Sequence, residues 1–101
     1  MPLIHKTKEA REDLINIWRY TYKNWGEEQA DRYNNELDKT IKLLAEEPLI
    51  SRLREELDPP VRIHHFNHHL IVYVEIERGI SLVRVLHESS DYESHLEGAE
   101  Q

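Results

Sequence analysis

The sequence contains no cysteine, and this absence removes several kinds of chemistry at once. Disulfide bonds, thiolate nucleophiles and zinc sites with cysteine ligands are all excluded. Glycine is also scarce, because the three glycines stand alone at positions 26, 79 and 98. A phosphate-binding loop needs clustered glycines, so nucleotide binding of that kind is excluded as well.

Long apolar runs are missing too. No stretch approaches the roughly 20 residues that cross a bilayer, and the first ten residues, MPLIHKTKEA, lack the apolar segment of a signal peptide. A chain of 101 residues with 39% apolar and 33% charged residues is typical of one globular domain. We therefore expect a single domain over residues 1–101 that makes no membrane contact and is located in the cytoplasm.

Positive charge is in short supply, especially in the second half of the chain. The formal net charge is −7, and every lysine lies within the first 42 residues. Since affinity for nucleic acid comes largely from neutralising phosphates, we expect no strong direct binding to DNA or RNA. A local group of arginines could still bind an anion, although pairing with nearby carboxylates is the simpler interpretation. The arginines are Arg52, Arg54, Arg62 and Arg84, and the carboxylates are those of Glu55, Glu56 and Asp58.

Two amphipathic helices are predicted in the first half of the chain, joined as a helical hairpin. Thr7 is a suitable N-cap for the first, because its hydroxyl can accept a hydrogen bond from a backbone N–H group of the first turn. Gly26 is suited to end that helix, and Pro48 stops the second. Trp18 and Trp25 are interpreted as packing residues. The apolar stripes comprise Ala10, Leu14, Ile17, Trp18 and Thr21, then Ala30, Tyr33, Leu37, Ile41, Leu44 and Ala45.

The pattern changes to β-type sequence after residue 60. An irregular segment, Leu49–Pro60, precedes three apolar runs separated by short turns, namely Val61–Phe66, Leu70–Ile76 and Ile80–His87. With the short apolar start at Leu3–Lys6, we predict an α+β fold in the order β-α-α-β-β-β. A helical hairpin would pack on an antiparallel sheet, and a short C-terminal helix would follow. The hairpin can cover only one face, so the other must be covered by the chain ends, by a second copy in a homodimer, or by a partner.

Four histidines crowd one predicted turn, in the segment HHFNHH: His64, His65, His68 and His69. Neighbours across a tight turn lie within roughly 5 Å, so two of these side chains could share a metal ion. Strand alternation sends adjacent residues to opposite faces, however, which disfavours a site with four ligands. We interpret the histidines as polar residues of the hairpin tip and expect no cofactor.

A second array lies in RVLHESSDYESHL near the end of the chain. His87, Asp91 and His95 are spaced four apart, which would align them on one face of a continuous helix. The residues before His87 are strand-like, and Ser90 with Glu93 fits a capping box, so the helix should begin after His87. We therefore predict a structural hydrogen bond between His87 and Asp91 at this corner in preference to a catalytic pair.

Several segments, taken in order, carry a family resemblance. They are AxxDLxxIWxY from Ala10, WGxxQAxxY from Trp25, the proline after the second helix, Arg62 entering a strand, HHLIVY from His68, and RVLHxxxD from Arg84. Over about residues 4–96 the chain thereby resembles the ParE toxins of the RelE/ParE toxin–antitoxin superfamily. The resemblance implies a toxin that inhibits bacterial DNA gyrase by binding, without being an enzyme. It also implies a ParD-like antitoxin whose C-terminal segment wraps the toxin along the helical hairpin and the sheet.

The RelE branch of the same superfamily, which cleaves messenger RNA on the ribosome, is the alternative. Such chemistry would have to use His64 or His87 as the base and Arg62 or Arg84 at the phosphate, because no lysine follows position 42. The acidic composition favours the ParE-like interpretation. The residues predicted to bind partner proteins are Arg62, Tyr73, Arg84, His87, Asp91 and Tyr92.

The chain departs from the family pattern just after RVLH. ParE-like chains often carry a basic residue there, whereas this sequence has Glu88, Ser89 and Ser90. A toxin that has lost its activity is therefore a third interpretation.

Overall fold

The structure, a computed structural model, describes residues 2–90 and has two helices packed on one sheet. Strand β1 (Leu3–Lys6) leads into helices α1 (Lys8–Trp25) and α2 (Glu27–Glu46). A 3-10 turn (Pro48–Ile50) and the two-residue strand β2 (Leu53–Arg54) follow. The chain then forms β3 (Val61–Phe66), β4 (His69–Ile76) and β5 (Gly79–His87). The predicted α+β class and element order are confirmed, and β2 is an addition within the segment expected to be irregular.

The five strands form one mixed sheet in the order β1-β5-β4-β3-β2. Strands β2 to β5 are antiparallel, as predicted. Strand β1 instead runs parallel to β5, from Leu3 opposite Gly79 to Lys6 opposite Leu82. No tight turn joins these two strands, so the reversal of direction that a hairpin imposes does not apply to them.

The ends of the helices follow the predicted capping residues. The Thr7 hydroxyl oxygen accepts a hydrogen bond from the Ala10 N–H group at 3.0 Å, and the hydroxyl donates to the Val83 carbonyl oxygen at 2.8 Å. One residue therefore both caps α1 and fixes it to β5. Gly26 ends α1, as predicted, with φ 91° and ψ 174°, a backbone region that is essentially restricted to glycine.

The main core lies between the hairpin and one face of the sheet. Helix α2 supplies the large buried side chains, whereas the fully buried residues of α1 are the small Ala10 and Thr21. Trp25 is 63% exposed, and the indole N–H of the half-buried Trp18 donates to the Asp31 carboxylate at 3.0 Å. The prediction that both tryptophans are packing residues is therefore wrong for Trp25, because α2 fills the space over the sheet. The buried cluster comprises Ala10, Leu37, Ile41, Leu44, Ala45, Ile71, Tyr73, Ile80, Leu82 and Val85.

The opposite face of the sheet carries a smaller cluster of Leu57, Val61, Val72 and Leu86. Leu57 comes from the segment before β3 and covers part of this face. The predicted C-terminal helix, His95 and Glu93 of the capping box lie outside the described residues. No helix within residues 2–90 is long and apolar enough to cross a membrane.

Candidate functional site

A groove of about 730 Å³ lies beside the end of β5, bounded by α1, the start of α2 and the start of β4. Its volume is in the range that accommodates a ligand or several side chains of a peptide. The lining combines aromatic, aliphatic and imidazole groups. The lining residues are Asp13, Asn16, Ile17, Tyr20, Thr21, Trp25, Gln29, Tyr33, His68, His69, Arg84, Val85, Leu86, His87 and Ser90.

The groove begins where α1 replaces β1 at the side of β5. Pairing between the two strands ends at Leu82, whose carbonyl oxygen accepts from the Thr7 N–H group at 3.1 Å. Further along, the Asp13 carboxylate of α1 accepts a hydrogen bond from the Val85 N–H group at 3.0 Å. A side chain of α1 thus supplies the acceptor that a neighbouring strand would normally provide.

Arg84, one of the predicted partner-binding residues, forms a wall of the groove. Its Nε and Nη2 atoms donate to the two Asp13 oxygens at 2.7 and 3.0 Å, and this hydrogen bonding raises the pKa of Arg84. The strand register shifts between Val72 and Tyr73, so that Val72 lies opposite Arg84 and Tyr73 lies opposite Leu82. Such a bulge redirects a side chain, here toward α1. The guanidinium charge is therefore matched by a carboxylate within the wall.

His69 lies at the start of β4 and is half-buried in the groove. Its Nδ1 atom is 2.6 Å from the Tyr33 hydroxyl, and its ring meets that of His87 edge-on at a centroid distance of 5.6 Å. Burial lowers the pKa of His69, and proximity to His87 lowers it further. Burial also raises the pKa of Tyr33. Both groups are therefore uncharged near neutral pH.

His87 is the last residue of β5, as predicted, and its side chain is exposed at the groove. The Ser89 N–H group donates to His87 Nδ1 at 3.1 Å, and the Ser89 hydroxyl lies 2.7 Å from the same nitrogen. Asp91 lies outside the described residues, so its predicted hydrogen bond with His87 stays a prediction. That bond would have to use Nε2, because Ser89 occupies Nδ1.

Glu88 binds two of the histidines in HHFNHH. Its carboxylate oxygens lie 2.9 Å from His65 Nε2 and 2.8 Å from His68 Nδ1, and the His68 hydrogen bond is the main cause of the lowered Glu88 pKa. His64 points elsewhere, with Nδ1 2.9 Å from the Ser51 hydroxyl, and burial lowers its pKa. Within residues 2–90, no group of three or more histidine or acidic side chains is arranged to hold a metal ion.

Two other predicted partner-binding residues lie away from the groove. Arg62 donates to the Glu75 carboxylate at 2.9 and 3.2 Å and to the Ser51 carbonyl oxygen at 2.6 Å. Tyr73 is fully buried, and its hydroxyl donates to the Pro48 carbonyl oxygen at 2.8 Å. Any contribution of Tyr73 to partner binding would therefore act through the packing of its neighbours.

The structure thus brings Arg84 and His87 together and places Arg62 and Tyr73 elsewhere, while Asp91 and Tyr92 lie outside the described residues. Of the arginine pairs suggested by sequence, the one between Arg54 and Glu56 is present at 3.0 Å. The expectation that Arg62 and Arg84 pair with the carboxylates of residues 55–58 is wrong, because β4 and α1 supply closer partners.

Sequence reasoning missed four residues that shape the groove. Tyr20 and Trp25 are each 63% exposed and meet edge-on at 6.0 Å, and Tyr33 and His69 line its inner part. The sequence of α1 did contain a signal for this wall of the groove. Neighbours three or four positions apart lie on the same side of a helix, and this side carries Asp13, Asn16, Ile17 and Tyr20. Because this side mixes polar and aromatic residues, it does not stand out as an apolar face.

Comparisons with a family model and with individual known proteins point to the same family. The model of the family described as ParE toxin of type II toxin–antitoxin system, parDE, matches residues 4–92. Toxin ParE1 of Caulobacter vibrioides is 34% identical over 90 residues, which cover 89% of this chain and 93% of that protein. Toxin ParE1 of Mycobacterium tuberculosis is 38% identical over 88 residues, covering 86% of this chain and 90% of that protein.

Among solved structures, a chain of the chromosomal ParDE TA system from P. aeruginosa has a similar fold. The TM-score is 0.73 at 19% sequence identity, over 86% of this chain and 96% of that one. At this identity the similarity concerns the fold alone.

Proposed function

This chain belongs to the ParE toxin family of type II toxin–antitoxin systems, and from that premise we propose that it inhibits DNA gyrase by binding it. We further propose that a cognate ParD-like antitoxin neutralises it in the bacterial cytoplasm. The relatives at 34–38% identity are named toxins, and the structure with the similar fold comes from a ParDE system.

The observation that favours gyrase binding over RNA cleavage is that the two arginines on the sheet are already paired with carboxylates. A cleaving enzyme needs cationic groups that can meet the extra charge of the phosphorane. Arg62 and Arg84 are 14% and 18% exposed, and each is held by a carboxylate, Glu75 and Asp13 respectively. Freeing Arg84 would leave the nearly buried Asp13 carboxylate uncompensated, and freeing Arg62 would break its hydrogen bonds to Glu75 and the Ser51 carbonyl oxygen, so both changes oppose use of these arginines at a phosphate.

The groove beside β5 is the proposed antitoxin site. Exposed aromatic rings at one end and imidazole groups at the other match the recognition of a protein segment through a few large apolar anchors. The predicted residues Arg84 and His87 lie in it, and Asp91 and Tyr92 follow its last lining residue, Ser90.

Purified toxin should be compared in two assays that separate the candidate activities. We expect inhibition of gyrase supercoiling and no cleavage of messenger RNA on translating ribosomes. Unhindered supercoiling with cleaved messenger RNA would contradict the gyrase proposal and favour the RelE-like alternative.

Expression in bacteria tests whether the toxin is active and whether the antitoxin uses the groove. We expect growth arrest without the antitoxin and recovery when it is co-expressed; no arrest would instead support a toxin that has lost activity.

Trp25→Ala should weaken neutralisation because it removes an aromatic wall of the groove. Tyr22→Ala is the matched control, since Tyr22 is an exposed aromatic residue of α1 that stacks on Trp18 at 5.1 Å and does not line the groove.

A further inference from the structure

The hydrogen-bond network of the groove assigns the proton positions of two imidazole rings. A backbone N–H group can only donate, so the Ser89 N–H bond at 3.1 Å makes His87 Nδ1 an acceptor. The neutral ring then carries its proton on Nε2. The Tyr33 hydroxyl oxygen lies 2.6 Å from His69 Nδ1, which is shorter than the roughly 2.7–3.2 Å of an N–H donor and is typical of an O–H donor, so the Tyr33 O–H group donates to His69 Nδ1. His69 therefore also carries its proton on Nε2.

We propose that the Nε2–H groups of His69 and His87 form a site for one carboxylate group of the antitoxin, and that binding takes up a proton. This inference rests on the proposed neutralisation by an antitoxin. Both rings line the groove, and their centroids are 5.6 Å apart, so one side chain of a docked segment can reach both. Both nitrogens are donors, and a carboxylate accepts hydrogen bonds from several donors at once.

The two carboxylates near the rings already have partners within the chain. Asp13 of α1 pairs with Arg84 of β5, and the Glu88 carboxylate is hydrogen-bonded to His65 and His68, whose rings carry charge only when protonated. The Nε2–H groups of His69 and His87 therefore remain for a partner. Tyr33 of α2 is neutral, and Glu36 is a more distant negative charge. The net charge of −7 repels a polyanionic nucleic acid more strongly than a protein segment that brings one carboxylate to this place, so a protein carboxylate is the favoured occupant.

Proton uptake follows from the change in the surroundings of His87. In the free toxin the Ser89 N–H bond requires an unprotonated Nδ1 on His87. An opposite charge within a few ångströms favours the imidazolium form. The added proton would reside on Nδ1, where the Ser89 hydroxyl, 2.7 Å away, can accept it as a hydrogen bond. Ser89 thus acquires a role in binding.

The test is calorimetric titration of the full-length toxin with its cognate antitoxin at pH 7 in phosphate and in Tris buffer, whose ionisation enthalpies differ. We expect uptake of about half a proton at pH 7 and binding that tightens about sixfold between pH 8 and pH 6, as when a charge pair raises an ordinary histidine pKa of about 6.5 by about one. Carboxylates of the antitoxin stay ionised over this range.

Variants separate this site from general effects on the fold. His87→Gln retains an N–H donor near the Nε2 position but cannot be protonated, so it should abolish the proton uptake and flatten the pH profile. Ser89→Ala should reduce the uptake. His5→Gln is the matched control, because His5 is an exposed histidine on β1 that bonds Ser81 and does not line the groove. It should behave like the wild type.

The outcomes are distinct. Tight antitoxin binding without proton uptake, or uptake that persists in His87→Gln, would overturn this inference and leave the proposed function standing. Absence of antitoxin binding would overturn both. Asp91→Asn tests whether the chain's own Asp91 carboxylate occupies the site in place of the antitoxin. If titration of the free toxin shows proton uptake, and this uptake disappears in Asp91→Asn, then the site belongs to Asp91 and the antitoxin assignment is wrong.

Discussion

Replacing Asp13 by alanine is the sharpest test of how the helical hairpin is fixed to the sheet. Asp13 accepts three hydrogen bonds, two from the Arg84 guanidinium at 2.7 and 3.0 Å and one from the Val85 N–H group at 3.0 Å. The side chains of Asp13 and Arg84 are 14% and 18% exposed, between a surface pair and a buried one. Breaking a surface pair costs about 1 kcal/mol or less and breaking a buried pair about 3–5 kcal/mol, so we expect a loss of about 3 kcal/mol in the free energy of unfolding.

Urea unfolding monitored by tryptophan fluorescence provides the measurement. With a slope of about 1.5 kcal/mol per molar urea, typical for a domain of this size, the midpoint should fall by about 2 M. Asp38→Ala is the control, because its ion pair with Lys42 at 3.0 Å is 45–65% exposed and should contribute at most about 0.5 kcal/mol. A second substitution, Arg84→Met, should recover part of the loss by removing the unpaired charge. A loss below about 1 kcal/mol for Asp13→Ala would refute the reasoning.

Three further predictions concern stability. Burial holds the pKa of His64 and His69 in the folded chain below the ordinary value of about 6.5. As the pH falls through that value, the unfolded chain therefore binds more protons than the folded chain, and the urea midpoint should drop between about pH 7.5 and 5.5. His69→Gln should lessen that drop, and an unchanged pH dependence would contradict the cause. In Gly79→Ala a new Cβ would collide with the backbone of Leu3 in β1, so hydrogen exchange should show loss of protection in β1. Tyr73→Phe should cost about 1–2 kcal/mol, measured by urea unfolding, because it leaves a backbone carbonyl of the 3-10 turn without its donor.

The two helices and the antiparallel strands β3, β4 and β5 could be predicted from the sequence because their signals are local. Thr7 and Pro48 mark helix boundaries through their own backbone chemistry, and apolar periodicity identifies the core face of α2. Two-residue turns connect β3 to β4 and β4 to β5, so the antiparallel pairing of these strands follows from their proximity along the chain.

The parallel pairing of β1 and the composition of the groove could not be predicted in the same way. Both depend on residues that are distant in sequence, such as Asp13 with Arg84 and Tyr33 with His69. The direction of Arg84 further depends on a one-residue bulge, which carries no glycine or other local marker in this chain. Partner-binding residues chosen by resemblance therefore include Tyr73, whose side chain the fold buries completely.

The position of β5 between β1 and β4 affects when the toxin can fold. Thr7 and Val83, which are hydrogen-bonded in the folded chain, are 76 residues apart in sequence. During synthesis the first strand and the helical hairpin are therefore made long before the strand that joins them to the sheet. Contacts over such distances form slowly, because the intervening chain must first be ordered. A nascent chain that stops before Gly79 lacks β5 and has no complete core, so the fold can be completed only after β5 has been translated.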